Sequence, residues 1–184
     1  MDRKYLFTSA RLGFRCWQKT DTDAMAKINA DANVREFFPG IQNYEQTAQF
    51  IHRMQQMFAD KGYCYYAVDK LDEQEFIGFI GLAEQTFEAS FTPCTDIGWR
   101  LCKKEWNKGY ATEGAQACLG YAFHTLLLPR VYSMAPKINL KSIHVMEKIG
   151  MVKVADFIHP LLLSDKRLKE CVVYEIMKEQ VKRE

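Results

Sequence analysis

The most informative part of the chain runs from Asp96 to Gly114 and reads D-I-G-W-R-L-C-K-K-E-W-N-K-G-Y-A-T-E-G. Its first half contains an apolar run, Ile97 to Cys102, that predicts a strand and leads into a short polar turn at 107–109. Apolar and small residues then repeat at helical spacing on one face, namely Ala111, Ala115, Cys118, Leu119, Ala122, Phe123 and Leu126. A strand that enters a helix through a small, basic, glycine-containing loop directs several free backbone N–H groups to one point, beside the positive end of the helix dipole. The stretch therefore predicts an anion site, most naturally one for a phosphate.

The bulk composition indicates one folded domain over residues 1–184. Hydrophobic residues make up 48% of the chain and charged residues 26%, so a sizeable core can be buried without disulfides or metals. The net charge is +2, whereas proteins that bind nucleic acid usually carry a concentrated basic face. We therefore expect no nucleic-acid partner.

Cysteine and histidine usage indicates the compartment and argues against a metal. None of the six cysteines forms a C-x-x-C pair, and most lie in apolar runs, as small buried side chains of a reduced chain would. The four histidines are scattered, so no metal site is expected. The start of the chain has too few apolar residues for a signal peptide, and no stretch approaches the length of a membrane span. We expect a cytoplasmic protein without a membrane partner.

The remaining pattern predicts the element order β-α-α-β-β-β-α-β-α-β-β. This order is typical of an α/β fold with a central mixed sheet of about seven strands and helices on both faces. Two helix starts are marked by Asn43 and Asn139, and two helix ends by Gly62 and Gly150. The predicted strands are 11–17, 63–69, 76–87, 95–102, 131–135, 151–158 and 171–177; the predicted helices begin near 20 and 43, follow the turn at 107–109 as far as about 127, and span 139–149.

Two blocks of the sequence resemble one known family. The loop W-N-K-G-Y-A, from Trp106 to Ala111, is similar to the pyrophosphate signature Q/R-x-x-G-x-G/A of the GNAT superfamily of N-acetyltransferases. Gly109 and Ala111 fill the small-residue positions, and Trp106 stands where glutamine or arginine is commoner. The block N-L-K-S-I-H-V-M-E-K-I-G-M, from Asn139 to Met151, resembles the family's N-x-x-S-x-x-V-x-E-K-x-G-F. The phrase I-G-W-R-L, followed by W-N-K-G-Y-A-T-E, looks like the Rim-type branch, which acetylates ribosomal-protein N-termini and related amines.

The resemblance implies a fold and an activity. The sheet would be mostly antiparallel and splayed at its middle, and the chain would transfer an acetyl group from acetyl-CoA directly to a primary amine. The acceptor would be a protein N-terminus or a small molecule, chosen by residues 33–44 and 157–169. The second of these segments mixes apolar and basic residues, so a homodimer contact there is the other reading.

The resemblance also implies which residues bind the cofactor. Backbone N–H groups of the loop would bind the pyrophosphate, with added charge from Lys103 or Lys108. The backbone of Leu101 and Cys102 would align the pantetheine arm, and one of their N–H groups would act as the oxyanion donor. The full set expected to bind acetyl-CoA is Leu101, Cys102, Lys103, Trp106, Asn107, Lys108, Gly109, Tyr110, Ala111, Thr112, Asn139 and Ser142.

Three residues are candidates for the proton transfers. An attacking ammonium must lose a proton, and Asp96 or Glu84, near the splayed strands, would be the general base. Many relatives protonate the leaving thiolate with a tyrosine at the position of Met146, so Ser142 is the substitute that we name. Each of these residues has a plain structural alternative. The two acids could be strand-end charges that face solvent, and Ser142 could cap its helix together with Asn139.

Two other functions were weighed for the same loop. A dinucleotide fingerprint would need a parallel βαβ unit with an acid at the tip of the next strand, and residues 131–135 contain no acid. The second alternative is a module that binds acyl-CoA without catalysing transfer, which the missing tyrosine leaves open.

Overall fold

The computed structural model of the protein describes residues 4–180, which form eight strands and four α-helices. The strands are β1 (Phe7–Thr8), β2 (Leu12–Arg15), β3 (Tyr65–Lys70), β4 (Phe76–Gln85), β5 (Cys94–Leu101), β6 (Arg130–Pro136), β7 (Val152–Ile158) and β8 (Glu170–Met177). The helices are α1 (Asp21–Ala30), α2 (Tyr44–Lys61), α3 (Tyr110–His124) and α4 (Leu140–Lys148). The predicted α/β class is confirmed. The strand not predicted from sequence is β1, whose two residues are too few to show a period.

All strands belong to one sheet, in the order β1-β2-β3-β4-β5-β6-β8-β7. Neighbours run antiparallel except β5 and β6, which are parallel and share a single paired position, Asp96 with Tyr132. One residue further along each strand, the Ser133 hydroxyl donates a hydrogen bond to the Ile97 carbonyl at 2.9 Å. Beyond that point the two strands separate, and this separation is the splay expected from the family resemblance.

The helices cover both faces of the sheet. Phe50 of α2 packs on Phe79 of β4, with ring centroids 5.3 Å apart. Gly114 of α3 lies against Ile80, the next residue of β4. Successive strand residues point to opposite faces, so α2 and α3 lie on opposite sides of the sheet. The core of the protein fills the two layers between helices and sheet.

The predicted helix ends have a clear basis in local geometry. Asn43 forms a capping box with Gln46 at the start of α2, and Gly62 ends that helix in a left-handed conformation (φ 77°). Asn139 caps α4 by accepting a hydrogen bond from the Ser142 N–H at 3.2 Å, and Gly150 follows α4 with φ 84°. No helix among residues 4–180 is long and apolar enough to cross a membrane.

A buried ion cluster ties α1 to the sheet. Arg15 of β2 donates to Asp21 of α1 at 2.8 Å from both Nη1 and Nη2. Its Nε and Nη2 also donate to the two carboxylate oxygens of Asp69 in β3, at 2.9 and 2.8 Å. The buried positive charge is thus matched by two carboxylates, as burial of an ion requires.

Candidate functional site

A cavity of about 490 Å³ lies where β5 ends and where α3 and α4 begin. Four parts of the chain form its wall: the end of β5, the loop into α3, one face of α4, and the turn between α1 and α2. The lining residues are Asn33, Val34, Phe37, Phe38, Trp99, Arg100, Leu101, Glu105, Trp106, Asn107, Gly109, Tyr110, Ala111, Thr112, Asn139, Lys141, Ser142, His144, Val145 and Lys148. The two blocks that carried the family resemblance therefore lie on one cavity.

Most of the residues expected to bind acetyl-CoA line this cavity, and a few do not. Those on its wall are Leu101, Trp106, Asn107, Gly109, Tyr110, Ala111, Thr112, Asn139 and Ser142. Cys102, Lys103 and Lys108 lie beside it in sequence but are not on its wall. Neither of the two candidate bases, Asp96 and Glu84, lines it.

The loop into α3 presents unpaired backbone donors. Asn107 (φ 60°) and Gly109 (φ 82°) both adopt left-handed conformations, which turn the chain sharply before the helix. The first hydrogen bond within α3 runs from Glu113 N–H to the Gly109 carbonyl, so the N–H groups of residues 110–112 have no partner inside the helix. They lie at the positive end of a 15-residue helix, where an anion is stabilised.

Trp106 connects this loop to β5 and to α4. Its indole N–H donates to the Leu101 carbonyl at 2.9 Å, and the Lys141 ammonium lies 4.7 Å from its ring centroid. The departure from glutamine or arginine thus provides a contact that holds a lysine of α4 at the cavity wall. Sequence reasoning missed Lys141, because its position at the cavity follows from this contact between residues that are far apart in the sequence.

The two lysines named for the phosphates are placed differently. Lys108 pairs with Glu105 at 3.0 Å, and Glu105, which is buried, also lies 3.5 Å from Lys70. Lys108 is therefore already engaged by a carboxylate. Lys103 is exposed.

The backbone of β5 offers its donors on alternate sides. Cys102 N–H donates to the Ile77 carbonyl at 2.9 Å, in register with the β4–β5 ladder. In an antiparallel ladder the bonding alternates from residue to residue, so the N–H groups of Trp99 and Leu101 point away from β4, toward the splay. Of the two residues expected to supply an oxyanion donor, Leu101 is the one whose N–H faces the opening.

Asp96 is buried at the closed end of the splay. Both its oxygens accept from the Tyr65 hydroxyl, at 2.8 and 2.9 Å, and one accepts from the Gln85 amide at 3.0 Å. Burial disfavours the ionised form and raises the pKa of the Asp96 carboxyl to about 6, against the lowering effect of these hydrogen bonds. Along the strand, Asp96 precedes Leu101 by roughly 16 Å, at about 3.3 Å per residue.

Glu84 lies in a different environment from Asp96. Its carboxylate forms an ion pair with Lys61 at 3.0 Å, and both side chains are substantially exposed to solvent. The pair ties β4 to the end of α2 and does not reach the cavity wall.

The first turn of α4 places Ser142 and His144 on the cavity, while Met146 is in the core. The Ser142 backbone N–H is bonded to Asn139, so the cap leaves its hydroxyl unengaged within the described part of the chain. Met146, at the position of the common tyrosine, is 1% exposed and packs inside. His144 is exposed and also lines the cavity.

Of the two segments predicted to choose the acceptor, one lines the cavity. Residues 33–44 contribute Asn33, Val34, Phe37 and Phe38 to its wall. Residues 157–169 do not line it: Phe157 packs against Phe91 at 5.0 Å, outside the main core. Leu161 and Leu163 of this second segment are exposed.

Sequence reasoning missed Arg100, which also lines the cavity. This arginine is 9% exposed, and its Nη1 donates a hydrogen bond to the side-chain amide oxygen Oδ1 of Asn29 at 2.8 Å. Burial and, to a smaller extent, the nearby charge of Arg35 together lower the pKa of the guanidinium to about 9. An arginine inside the apolar run I-G-W-R-L was the available signal. Within residues 4–180, no group of three His, Cys, Asp or Glu side chains is placed to hold a metal ion.

Comparisons with known proteins agree on one family. Residues 11–152 match the family described as "Acetyltransferase (GNAT) domain". The chain is 32% identical over 145 residues to an uncharacterized N-acetyltransferase, YnaD, of Bacillus subtilis (strain 168), covering 78% of this chain and 81% of the relative. The crystal structure of a GNAT-family acetyltransferase from Bacillus anthracis superposes with a TM-score of 0.79 at 28% identity, covering 94% of this chain and 98% of the other.

A more distant structure shares the fold. Spermidine N-acetyltransferase from Vibrio cholerae, crystallised with CoA and spermine, superposes with a TM-score of 0.75 at 16% identity, covering 93% of this chain and 98% of the other. At this identity the likeness concerns the fold alone.

Proposed function

Because the chain belongs to the GNAT family of acetyltransferases, we propose that it moves an acetyl group from acetyl-CoA directly to a primary amine while both substrates are bound. GNAT acetyltransferases use acetyl-CoA, and the proposal is that this chain binds it in the cavity described above. The observation that carries the proposal is the position of the free N–H groups of residues 110–112 across the cavity from the open backbone edge of β5.

The residues fit the anionic and polar parts of CoA. The N-terminus of α3, with Asn107 and Gly109 before it, would hold the pyrophosphate through backbone donors. The outward edge of β5 at Trp99 and Leu101 would pair with the pantetheine arm, and Asn139 would contact an amide of that arm. When bound, acetyl-CoA supplies the activated thioester.

The chain's own groups would assist the transfer at two atoms of acetyl-CoA. The Leu101 N–H would donate to the carbonyl oxygen of the acetyl group, where negative charge develops. The Ser142 hydroxyl, on the cavity wall and not engaged by the cap, would donate to the departing sulfur. No protein nucleophile is needed for direct transfer.

Asp96 and Glu84 stay the proposed general bases. Asp96 suits the role of general base, because its pKa of about 6 lies near the pH at which it would accept a proton. It does not line the cavity and lies roughly 16 Å along β5 from Leu101, at about 3.3 Å per residue, so the proton of the ammonium would reach it through a chain of several water molecules. Glu84 would first have to leave Lys61.

The acceptor class, the domain extent, the oligomeric state and the cellular location are also proposals. A protein N-terminus or a small-molecule amine is the acceptor class, and the likeness to the Rim-type branch stays a prediction. The extent of the acetyltransferase domain over residues 1–184, a homodimer, and a cytoplasmic location likewise stay predictions.

A thiol-release assay tests the proposal against the non-catalytic alternative. The purified protein is given acetyl-CoA and a panel of primary amines, amino acids, polyamines and peptides with free N-termini, and free CoA is followed with a thiol reagent. We expect acceptor-dependent release that is lost in a secondary-amide control series lacking the primary amine. Binding of CoA in calorimetry, with no acceptor-dependent release across the panel, would instead support a module that binds acyl-CoA without transfer.

A further inference from the structure

Two buried arginines beside the cavity have no carboxylate partner. Arg100 of β5 and Arg35 of the turn between α1 and α2 are 9% and 6% exposed. Neither forms an ion pair with any residue in the range 4–180. Arg15, with similar burial, is matched by two carboxylates in the same molecule. A buried charge without a counter-ion is unfavourable unless something else supplies the opposite charge.

The unpaired edge of Arg100 has the geometry of a carboxylate site. In Arg15, the Nε and Nη2 donors together bind the two oxygens of Asp69. In Arg100, Nη1 is bonded to Asn29, whereas Nε and Nη2 have no hydrogen-bond acceptor within the described chain. Two parallel N–H donors of a guanidinium match the two oxygens of a carboxylate. The Nε of Arg100 is closed to solvent, so an anion that binds this edge must shift the guanidinium or an adjacent ring.

Phe38 packs on the Arg100 guanidinium where that residue lines the cavity, and the centroid of the Phe79 ring lies 5.2 Å from the same guanidinium. The Arg100 guanidinium lies 4.2 Å from the centroid of the Phe38 ring, and the Arg35 guanidinium lies 4.6 Å from the same ring. Phe38 and Arg100 both line the cavity. Because Phe38 belongs to the turn between α1 and α2, it can move without disturbing a helix or strand.

The arginine site is separate from the proposed phosphate site. Arg100 pairs in register with Phe79 and contacts Asn29 of α1, so its side chain lies on the sheet face covered by α1 and α2. The loop into α3 begins a helix on the opposite face. A positive group on the α1–α2 side therefore lies near residues 33–44, the segment predicted to choose the acceptor, and on the other sheet face from the helix of the proposed pyrophosphate site.

Apart from Glu105, the other charged side chains of the cavity wall are positive. Lys141 and Lys148 of α4 line it as well. The carboxylate on the wall, Glu105, is already paired with Lys108 and lies near Lys70. The wall thus has no free negative charge within the described residues with which to attract a polyamine.

We infer that the acceptor is a primary amine that also bears a carboxylate, and that Arg100 binds this carboxylate while Arg35, which contacts the same Phe38 ring, adds positive charge nearby. The inference rests on the proposed acetyl transfer and names the class of its acceptor. The carboxylate would fix one end of the acceptor, so that its amino group is directed to the outward edge of β5 next to Arg100, at Leu101. Arg100 would thus determine which amines are acetylated.

Matched pairs of acceptors test this inference on the wild-type protein. Each pair consists of a free amino acid and its carboxamide, compared at equal concentrations of the neutral amine because the carboxamide lowers the pKa of the α-amine, and spermidine is added as a polycation. Acetyl-CoA-dependent thiol release gives kcat and KM for each. We expect kcat/KM at least tenfold higher for the acid than for its amide, with the difference mainly in KM, and weaker turnover of spermidine. Equal or better turnover of the amides or of spermidine would overturn the inference and leave the acetyltransferase activity intact, whereas no release with any amine would overturn the proposed function itself.

A substitution assigns the effect to Arg100. Arg100→Gln keeps a polar group near Asn29 but removes the fork, and we expect the acid-over-amide preference to fall at least tenfold while KM for acetyl-CoA changes little. Arg100→Lys should restore part of the preference, since it keeps the charge without the paired donors. Arg53→Gln, on the exposed side of α2, is the matched control and should retain the full preference. A preference unchanged in folded Arg100→Gln would contradict the assignment.

Discussion

At the residue scale, Asp96 is the candidate base whose surroundings differ more from water, since the Glu84 side chain is substantially exposed. It is buried, accepts hydrogen bonds from Tyr65 and Gln85, and has a pKa raised to about 6 because burial disfavours its charge. A general base acts when it is ionised. If Asp96 is that base, activity must therefore rise with pH through about 6 and level off above it.

This reasoning gives a pH prediction. With one acceptor, we expect kcat/KM to rise about tenfold per pH unit below pH 6 and to level off above it, so that the slope of the profile changes near pH 6. Asp96→Asn should remove this change of slope and lower kcat, because asparagine keeps the size but cannot take the proton. Glu84→Gln, at the exposed pair with Lys61, should leave the profile as in the wild type. The opposite result, with the profile lost in Glu84→Gln and kept in Asp96→Asn, would make Glu84 the base.

Sequence reasoning reached the backbone loop of the site better than its side chains. The turn into α3 could be predicted because glycine and small residues stand directly before a helical pattern, and the structure has a left-handed Gly109 there. The roles of Arg100 and Trp106 depend on residues far away in sequence: Arg100 meets Asn29 and Phe38, and Trp106 meets Lys141. A local pattern carries no information on whether such a side chain finds a partner, so these contacts needed the structure.

At the element scale, the position of α3 determines where the loop's donors point. Gly114 lies in the first part of α3, against Ile80, Leu12 and Phe14, all of them fully buried. A Cβ at Gly114 would overlap with Ile80 Cδ1 and would lie 3.2 Å from Leu12. The close approach of α3 to the sheet thus depends on the absence of a side chain at this position.

Gly114→Leu should therefore push α3 away from the sheet. We expect the free energy of unfolding to fall by about 1–3 kcal/mol, as for overpacked cores, and CoA affinity to fall because the N-terminus of α3 moves with the helix. Chemical denaturation and a CoA titration measure the two effects. Gly120→Leu is the control, since a Cβ at Gly120 has no heavy atom within 4 Å. Equal stability and affinity in the two variants would show that the packing of α3 does not position the loop.

The elements themselves were largely predictable, for local reasons. The capping box at Asn43, the left-handed Gly62 and the cap at Asn139 are encoded within a few residues, and the helices begin and end there. Strand ends were less well placed: the predicted strand 11–17 is Leu12–Arg15, and the predicted 76–87 is Phe76–Gln85. A strand ends where its hydrogen bonds to the neighbouring strand end. The sequence of one strand contains no information on where its neighbour ends.

At the scale of the whole molecule, the cavity follows from the way the sheet opens. β5 and β6 are joined at the Asp96–Tyr132 pair and then separate, which frees the edge of β5 at Trp99 and Leu101. α3 and α4 border the cavity that results. The splay was predicted from the family resemblance and not from the pattern of residues. It is a stretch in which β5 and β6 form no backbone hydrogen bonds with each other, and no local sequence pattern indicates missing pairing.

The central claim is that this cavity binds CoA through the N-terminus of α3. Gly109 stands directly before that helix with φ 82°, and an added Cβ would have only Arg11 Nη2, at 3.5 Å, within 4 Å. A glutamate there would bring bulk and negative charge to the proposed pyrophosphate without entering the core, and it would also strain the left-handed backbone of the loop. Gly120, in the same helix and in open space, offers the same substitution away from the loop.

Calorimetric titration of CoA into the wild type, Gly109→Glu and Gly120→Glu, each checked for folding by circular dichroism, tests this claim most directly. We predict that the wild type and Gly120→Glu bind one CoA with similar affinity, and that Gly109→Glu shows no measurable binding, since its carboxylate repels the phosphates and its side chain occupies their place. A folded Gly109→Glu variant that binds CoA as tightly as the wild type would contradict the account.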